Sequence, residues 1–180
     1  LPPYRTPQIG KILIRSLIDR TLFVLGRAVI VAAPAGLIIW LFANVNVNGM
    51  SLLKHCTNFL NPFASLMGLD GTILMAFILG FPANEIVFPI ILMSYLSTGQ
   101  LTEIEEISAM RDILVQNGWT WLTAICTMTF SLMHWPCSTT VLTIFKETKS
   151  RKWTLLAVLL PTVVGIILCM GIRLVGMLFL

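Results

Sequence analysis

The sequence predicts an all-α membrane protein with three transmembrane helices, one re-entrant helical hairpin and amphipathic interfacial helices. Of its 180 residues, 57% are hydrophobic and only 11% are charged, and the mean hydropathy is +0.89. Soluble domains carry about 25% charged residues, so this composition is typical of a protein embedded in lipid. Long apolar segments supply the helices, and two polar interruptions within them supply the candidate site.

The first 25 residues are predicted to form a linker and a basic interfacial helix, ahead of a gate-type transmembrane domain over residues 26–180. A Pro-Pro pair opens the linker, and Lys11, Arg15 and Asp19 then recur at helical spacing among apolar residues. This pattern suits a helix lying on the membrane surface, and a solvated stem leading into the first span fits it equally well. Because the chain opens on Leu rather than Met, we expect it to be a piece of a longer protein.

The first predicted span covers residues 27–45. As a helix, a segment of about 19 residues crosses the ~30 Å of bilayer hydrocarbon. Pro34 and Gly36 lie inside it and predict a kink. Residues 44–69 follow as a polar connection in which Lys54 is the only firm charge.

Residues 71–96 are predicted to form a re-entrant hairpin with two short apolar arms, 71–79 and 86–96. Each arm spans about 14–16 Å as a helix, roughly half a bilayer. A single crossing is the alternative, but it would place the basic loop at residues 146–152 outside the cell, against the positive-inside tendency. The hairpin instead keeps that loop and the N-terminus in the cytoplasm, with the C-terminus outside.

The rest of the chain is predicted to contain one surface helix and two crossings. Residues 98–118 are acidic, and their apolar positions recur at the spacing of an amphipathic surface helix: Leu101, Ile104, Ile107, Met110 and Leu114. A broken helix at residues 119–145 is interrupted by a His-Trp-Pro run. The last span covers residues 153–172, where Trp153 suits an interface and Pro161 predicts a bend.

The first polar interruption is the run Gly-Phe-Pro-Ala-Asn-Glu between the hairpin arms. Pro82 has no backbone N–H and disfavours helix at Phe81, so one arm ends in free carbonyls and the next begins with free amides. Broken helices of this kind form transport sites near the bilayer midplane. Asn84 is predicted either to line such a site or to cap the second arm. Placing an ionisable side chain such as that of Glu85 at mid-membrane costs about 2.5–3.5 kcal/mol, so this carboxylate must be protonated, paired or in contact with water.

The second interruption, at Pro136, has the same order of aromatic, proline, small and polar residues. Cys137 lies at the start of the following half-helix, where amide donors favour the thiolate. It is therefore a candidate metal ligand, with a small core residue as the plain alternative. Ser138, Thr139 and Thr140 either ligate or cap the helix, and His134 either ligates or packs beneath the neighbouring Trp. Oxygen, sulfur and nitrogen donors together suit a borderline transition metal.

Several other function classes lack support in the sequence. The four cysteines are widely spaced, with no CxxC pair and no disulfide framework: Cys56, Cys126, Cys137 and Cys169. No Walker A, HExxH or GxSxG motif occurs, so we predict no enzyme and no cofactor bound by this chain. The net charge of +4 bears on topology and does not indicate nucleic-acid binding.

Three motifs resemble those of a known family, the bacterial ferrous iron transport protein B family, in its C-terminal membrane region. They are the run from Gly80 to Val87, the run from His134 to Thr140 with Lys-Glu-Thr after it, and the entry Pro-Gln-Ile-Gly at residues 7–10. The resemblance covers nearly the whole chain. The first run is the gate motif shared with nucleoside-transporter-like proteins, and its combination with the second is strongly specific.

The resemblance implies a permease region for ferrous iron, in the bacterial plasma (inner) membrane, with several passes. It implies that Cys137 corresponds to the gate cysteine of the family. It also implies partners in the lipid bilayer and in the rest of the transporter, a first gate and a G domain that binds GTP and Mg²⁺ and is absent here. A homo-oligomer is compatible with the sequence. Two other functions stay open, a gate-type transporter of nucleosides or other small solutes and a non-transporting membrane scaffold.

Overall fold

The computed structural model describes residues 9–47, 49–98 and 106–179, which are mostly helical. Eight helices are described: α1 Ile9–Asn44, α2 Leu52–Leu66, α3 Gly71–Leu79, α4 Val87–Leu96, α5 Ile107–Gln116, α6 Trp121–Met133, α7 Ser138–Thr148 and α8 Arg151–Phe179. A short antiparallel pair, β1 Asn46–Val47 and β2 Met50–Ser51, joins α1 to α2, and one 3₁₀ turn covers Asn84–Ile86. The predicted all-α class is confirmed in this coarse form.

Helix α1 is continuous where the sequence analysis expected two elements. It runs through residue 25, where we placed the domain boundary, and holds Pro34 inside it. The predicted linker at residues 1–8 lies outside the described residues. Because every residue from 9 to 44 is helical, the surface helix and the first predicted span are one element of secondary structure.

Helix α2 corrects the prediction of a polar connection over residues 44–69. Ser51 caps its N-terminus by accepting a hydrogen bond from the Lys54 N–H at 3.3 Å. Buried residues lie along one side of the helix, at Leu53, Thr57 and Ala64. The rest of the helix mixes polar residues with exposed apolar ones, among them Phe59, Phe63 and Leu66, so mean polarity did not reveal the buried side.

Helices α3 and α4 form a hairpin whose two ends meet. Asp70 caps α3, and Tyr95, near the end of α4, donates its hydroxyl hydrogen bond to the Asp70 carboxylate. Trp119 Nε1 donates to the same Tyr95 hydroxyl at 2.9 Å. The chain therefore folds back on itself between α3 and α4, and the re-entry of this segment into the membrane stays a prediction.

The hairpin is also the core of the described structure. Its arms are buried on most sides, with Ile73, Ala76, Ile90 and Ile91 wholly inaccessible to solvent. Such all-round burial explains why both arms are apolar without helical amphipathicity. Helix α2 meets α3 at a bend of 108°, and their close approach depends on Gly71, where a Cβ would overlap the Thr57 carbonyl oxygen.

Helices α6 and α8 pack together through small residues. A Cβ at Gly165 would lie 2.9 Å from Met133 Cβ, and one at Gly176 would lie 2.5 Å from a methyl of Leu122. The pair also contains two wholly buried free cysteines, Cys126 and Cys169. Each thiol faces the carbonyl oxygen of the other residue, at 3.9 and 3.4 Å.

The described residues contain one helix long and apolar enough to cross a membrane, from Arg151 to Leu178. Helices α2 and α3 pass the same test only as a bent pair. The last predicted span, residues 153–172, therefore lies in a helix suited to cross. The three predicted crossings stay a prediction.

The predicted surface helix at residues 98–118 corresponds in part to α5. Its described portion begins at Ile107 and ends at Gln116, and none of its residues is buried. Its expected start, including Leu101 and Ile104, lies outside the described residues.

Candidate functional site

The first helix break follows the end of α3. Gly80 closes that helix, its N–H bonded to the Ala76 carbonyl at 2.8 Å, and Ala83 is extended with φ −152°. A 3₁₀ turn and then α4 follow. A Cβ at Gly80 would lie 2.5 Å from Val87 Cγ2, so glycine lets the two arms approach at the tip of the hairpin.

The second break separates α6 from α7, as the sequence predicted for residues 119–145. His134 ends α6 in an extended conformation with ψ 175°, and Cys137 is the N-cap residue of α7 with ψ 158°. Helix α7 continues to Thr148, three residues past the predicted end.

The two breaks are in direct contact. The Ser138 N–H donates to the Phe81 carbonyl at 2.9 Å, and the Ser138 hydroxyl lies 3.4 Å from the Pro82 carbonyl. A carbonyl released at the end of one half-helix thus meets an amide released at the start of the other. Ser138 therefore joins the two breaks and is also a candidate ligand.

Cys137 is half-buried at this junction. Its Sγ lies 3.1 Å from the hydroxyl oxygens of both Thr139 and Thr140. Two hydroxyls at that distance can donate to a thiolate, and the thiol stands at a helix N-terminus, where negative charge is favoured. The arrangement can present a sulfur ligand together with hydroxyl oxygens.

His134 is buried, with 8% of its surface exposed. Its Nδ1 lies 2.8 Å from the Ser131 carbonyl, so Nδ1 carries the hydrogen, and Nε2 has no partner among the described residues. Its ring packs against Phe77 at 4.9 Å between centroids and against Trp135 at 5.9 Å. These are the surroundings of a histidine packed in the core.

Asn84 and Glu85 lie exposed in the 3₁₀ turn. Neither that turn nor α4 has a side-chain cap, so the capping role considered for Asn84 is not observed. Within the described part of the chain, no cation lies within ion-pair distance of Glu85. Both side chains are exposed at the hairpin tip, without a hydrogen bond or ion pair to another described residue.

The described side chains do not assemble a closed metal centre. No group of three or more His, Cys, Asp or Glu residues in this part of the chain is placed to hold an ion. Cys137 and Ser138 lie at the junction, whereas the His134 ring is packed into the core. Thr139 and Thr140 were predicted to ligate or to cap the helix, and their contact with the Cys137 sulfur was not predicted, although their spacing after a helix-starting cysteine was the available signal.

Comparison with known proteins gives two results. The family model Gate, described as nucleoside recognition, matches residues 25–151. Fe(2+) transporter FeoB from Staphylococcus aureus strains MSSA476 and COL is in each case 32% identical over 190 residues, which is 99% of this chain and 26% of the relative. The chain thus spans about a quarter of the length of the curated relatives it matches. No solved structure matches it.

Proposed function

We propose that this chain, which belongs to the Gate family, forms part of the membrane pathway of a ferrous iron transporter. Similarity to Fe(2+) transporter FeoB along 99% of the chain supports iron as the cargo. The observation that carries the proposal is the hydrogen bond from the Ser138 N–H to the Phe81 carbonyl. It joins the two helix breaks, and paired breaks are where transporters bind their cargo.

Cys137 is the proposed sulfur ligand of the passing ion, and Glu85 and Asn84 are proposed oxygen ligands from the hairpin tip. Fe²⁺ is a borderline ion that accepts both donor types. Because the described residues form no three-ligand centre, the ion would keep water or take ligands from the rest of the transporter. Weak coordination suits conduction, in which an ion must leave as well as enter. Ser138 positions the two breaks, and His134 supports the second from the core.

The proposed topology has three crossings and a re-entrant hairpin in the bacterial plasma membrane, with the N-terminus in the cytoplasm. The contact between Asp70 and Tyr95 supports the hairpin, since it brings both ends of the segment to one level. Labelling provides a test at the exposed residue Ser108. A cysteine introduced there should react with an impermeant maleimide from outside, and reaction only after the membrane is opened would reject the hairpin topology.

The remaining parts of the transporter are the proposed partners. The chain covers 26% of its FeoB relatives, so further segments are expected to complete the pathway. GTP and Mg²⁺ would act only in a separate G domain. A homo-oligomer is a further proposal, tested by crosslinking of the whole transporter in its membrane.

The experiment that tests the ion path is uptake of radioactive Fe²⁺ by the complete transporter in proteoliposomes. We expect Cys137→Ser and Glu85→Gln each to reduce uptake, the first by roughly ten-fold or more, because a soft sulfur ligand is lost. Cys56→Ser and Glu147→Gln are matched controls away from the breaks. Undiminished uptake in both site variants, correctly inserted, would reject the site.

A nucleoside or other small solute is the second candidate cargo, favoured by the description of the Gate model. A neutral solute would use Asn84 and the hydroxyl of Ser138 rather than the sulfur of Cys137. Alkylation of Cys137 separates the two. Protection by Fe²⁺ alone supports the iron pathway, and protection by a nucleoside alone supports the second candidate.

A further inference from the structure

A polar cavity lies at the base of the hairpin, at the opposite end of α3 and α4 from the helix breaks. Its volume is about 720 Å³, it is partly open to solvent, and it is lined by the end of α1, the β1 and β2 residues, the starts of α2 and α3 and the end of α4. Small-molecule sites have volumes of about 300–1,000 Å³. We call it the base cavity, and its polar lining includes Lys54, Asn58, Asp70, Thr72, Ser94 and Tyr95.

The carboxylate among these lining residues is already engaged. One oxygen of Asp70 accepts the Ile73 N–H at 2.6 Å, and the other accepts the hydroxyl of Tyr95. These bonds hold the negative charge against the start of α3, where the helix dipole also favours it. Asp70 is therefore oriented for the fold rather than for a cation in the cavity.

Four donors in the lining are, in contrast, unused. Lys54, Asn58, Thr72 and Ser94 have no side-chain hydrogen bond or ion pair within the described ranges. The Ser94 hydroxyl is buried without a partner among the described residues, and its oxygen is almost closed to solvent, so it does not face the open part of the cavity. Lys54 and Asn58 lie four residues apart, on one face of α2. Lys54 is thus a lining cation without a partner, whereas the Asp70 carboxylate is held by two hydrogen bonds.

We propose that the base cavity binds a small oxyanion, the carboxylate or phosphate group of a larger polar molecule. The Lys54 ammonium supplies the charge-assisted hydrogen bond, and the amide of Asn58 and the hydroxyl of Thr72 supply neutral ones. The volume exceeds that of a bare ion, so there is room for the rest of the molecule. This site is separate from the helix breaks and does not depend on the identity of their cargo.

The test is equilibrium binding to the complete transporter without iron. Inorganic phosphate and succinate are titrated against protein in detergent, with chloride as the reference anion. Binding is followed by tryptophan fluorescence, because Trp119 bonds the Tyr95 hydroxyl in the cavity wall. A second arm uses nanodiscs of phosphatidylglycerol or of phosphatidylcholine. Saturation in detergent identifies a soluble ligand, whereas a response only in phosphatidylglycerol identifies a lipid headgroup.

Lys54→Gln should weaken the response about ten-fold or more, the usual worth of one charge-assisted bond. Thr72→Val should weaken it less, because only a neutral donor is lost. Lys152→Gln, at an exposed lysine on α8, is the matched control and should bind as the parent does. Equal affinity of the Lys54→Gln variant and the parent would overturn the proposal, as would a parent that responds to none of the probes.

Discussion

The close contact at Gly71 allows a quantitative prediction for Gly71→Ala. The new Cβ would overlap the Thr57 carbonyl oxygen and lie 2.9 Å from its carbon and 3.0 Å from Asn61 N. These are main-chain atoms, so no rotamer change relieves the overlap, and overpacking costs about 1–3 kcal/mol. The bend between α2 and α3 must open, which breaks the 3.1 Å bond from the Gly71 N–H to the Asn61 side chain at a further ~1–3 kcal/mol. The sum is about 2–6 kcal/mol.

The assay is thermal unfolding of the complete transporter, read by a thiol-reactive dye. Cys126 and Cys169 are wholly buried, so in a background with no other cysteine the dye reports unfolding of this region. A loss of 2 kcal/mol lowers the midpoint by at least ~4 °C in a domain of this size. Gly36→Ala is the control, because Gly36 is helical with nothing within 4 Å of its Cβ. A Gly71→Ala midpoint equal to that of the control would refute the reasoning.

Three further predictions follow from contacts in the fold. Tyr95→Phe removes the hydroxyl that donates to Asp70 and accepts from Trp119, so the same dye assay should show a loss of about 1–3 kcal/mol in the free energy of unfolding. An unchanged midpoint would argue against these two hydrogen bonds at the hairpin base. Gly176→Ala should lower the unfolding midpoint by less than Gly71→Ala does, because its Cβ meets only the flexible side chain of Leu122. Adding Leu122→Ala should remove the clash. A loss of stability larger than that of Gly71→Ala would contradict this reasoning. Thr140→Val should slow iodoacetamide alkylation of Cys137 by about five-fold, through loss of a hydroxyl donor to the thiolate, and equal rates would exclude that bond.

Both breaks, and the fold-back of α3 on α4, were predictable because local chemistry determines them. Pro82 and Pro136 lack an N–H wherever the chain places them, and the arms of residues 71–96 are too short to cross a bilayer. Helix α2 was missed because three buried positions, at Leu53, Thr57 and Ala64, carry its amphipathic signal within a polar segment. Its stability comes from packing on α3, which a local pattern does not report.

The residues of the candidate site could be predicted from the sequence, but their positions relative to one another could not. The order of residues identified Cys137 and Glu85, whereas the bond between Ser138 and Phe81 joins positions 57 apart and arises from tertiary packing. His134 shows the same limit. Its place after α6 suggested a ligand or a packed ring, and the aromatic neighbours that surround it come partly from another helix, at Phe77.

The unequal attachment of the hairpin at its two ends has a mechanical consequence. At the base, Asp70, Tyr95 and Trp119 form a linked side-chain group beside the apolar core. At the tip, the main-chain link is a single bond between Phe81 and Ser138, worth about 0.5–1.5 kcal/mol. The base is thus joined to Trp119 by side-chain bonds alone, whereas the tip is joined to α7 by this main-chain bond and the Ser138 hydroxyl contact to Pro82. Loss of one side chain can therefore release the base, whereas the main-chain bond at the tip survives any substitution that keeps its backbone geometry and places no proline at residue 138.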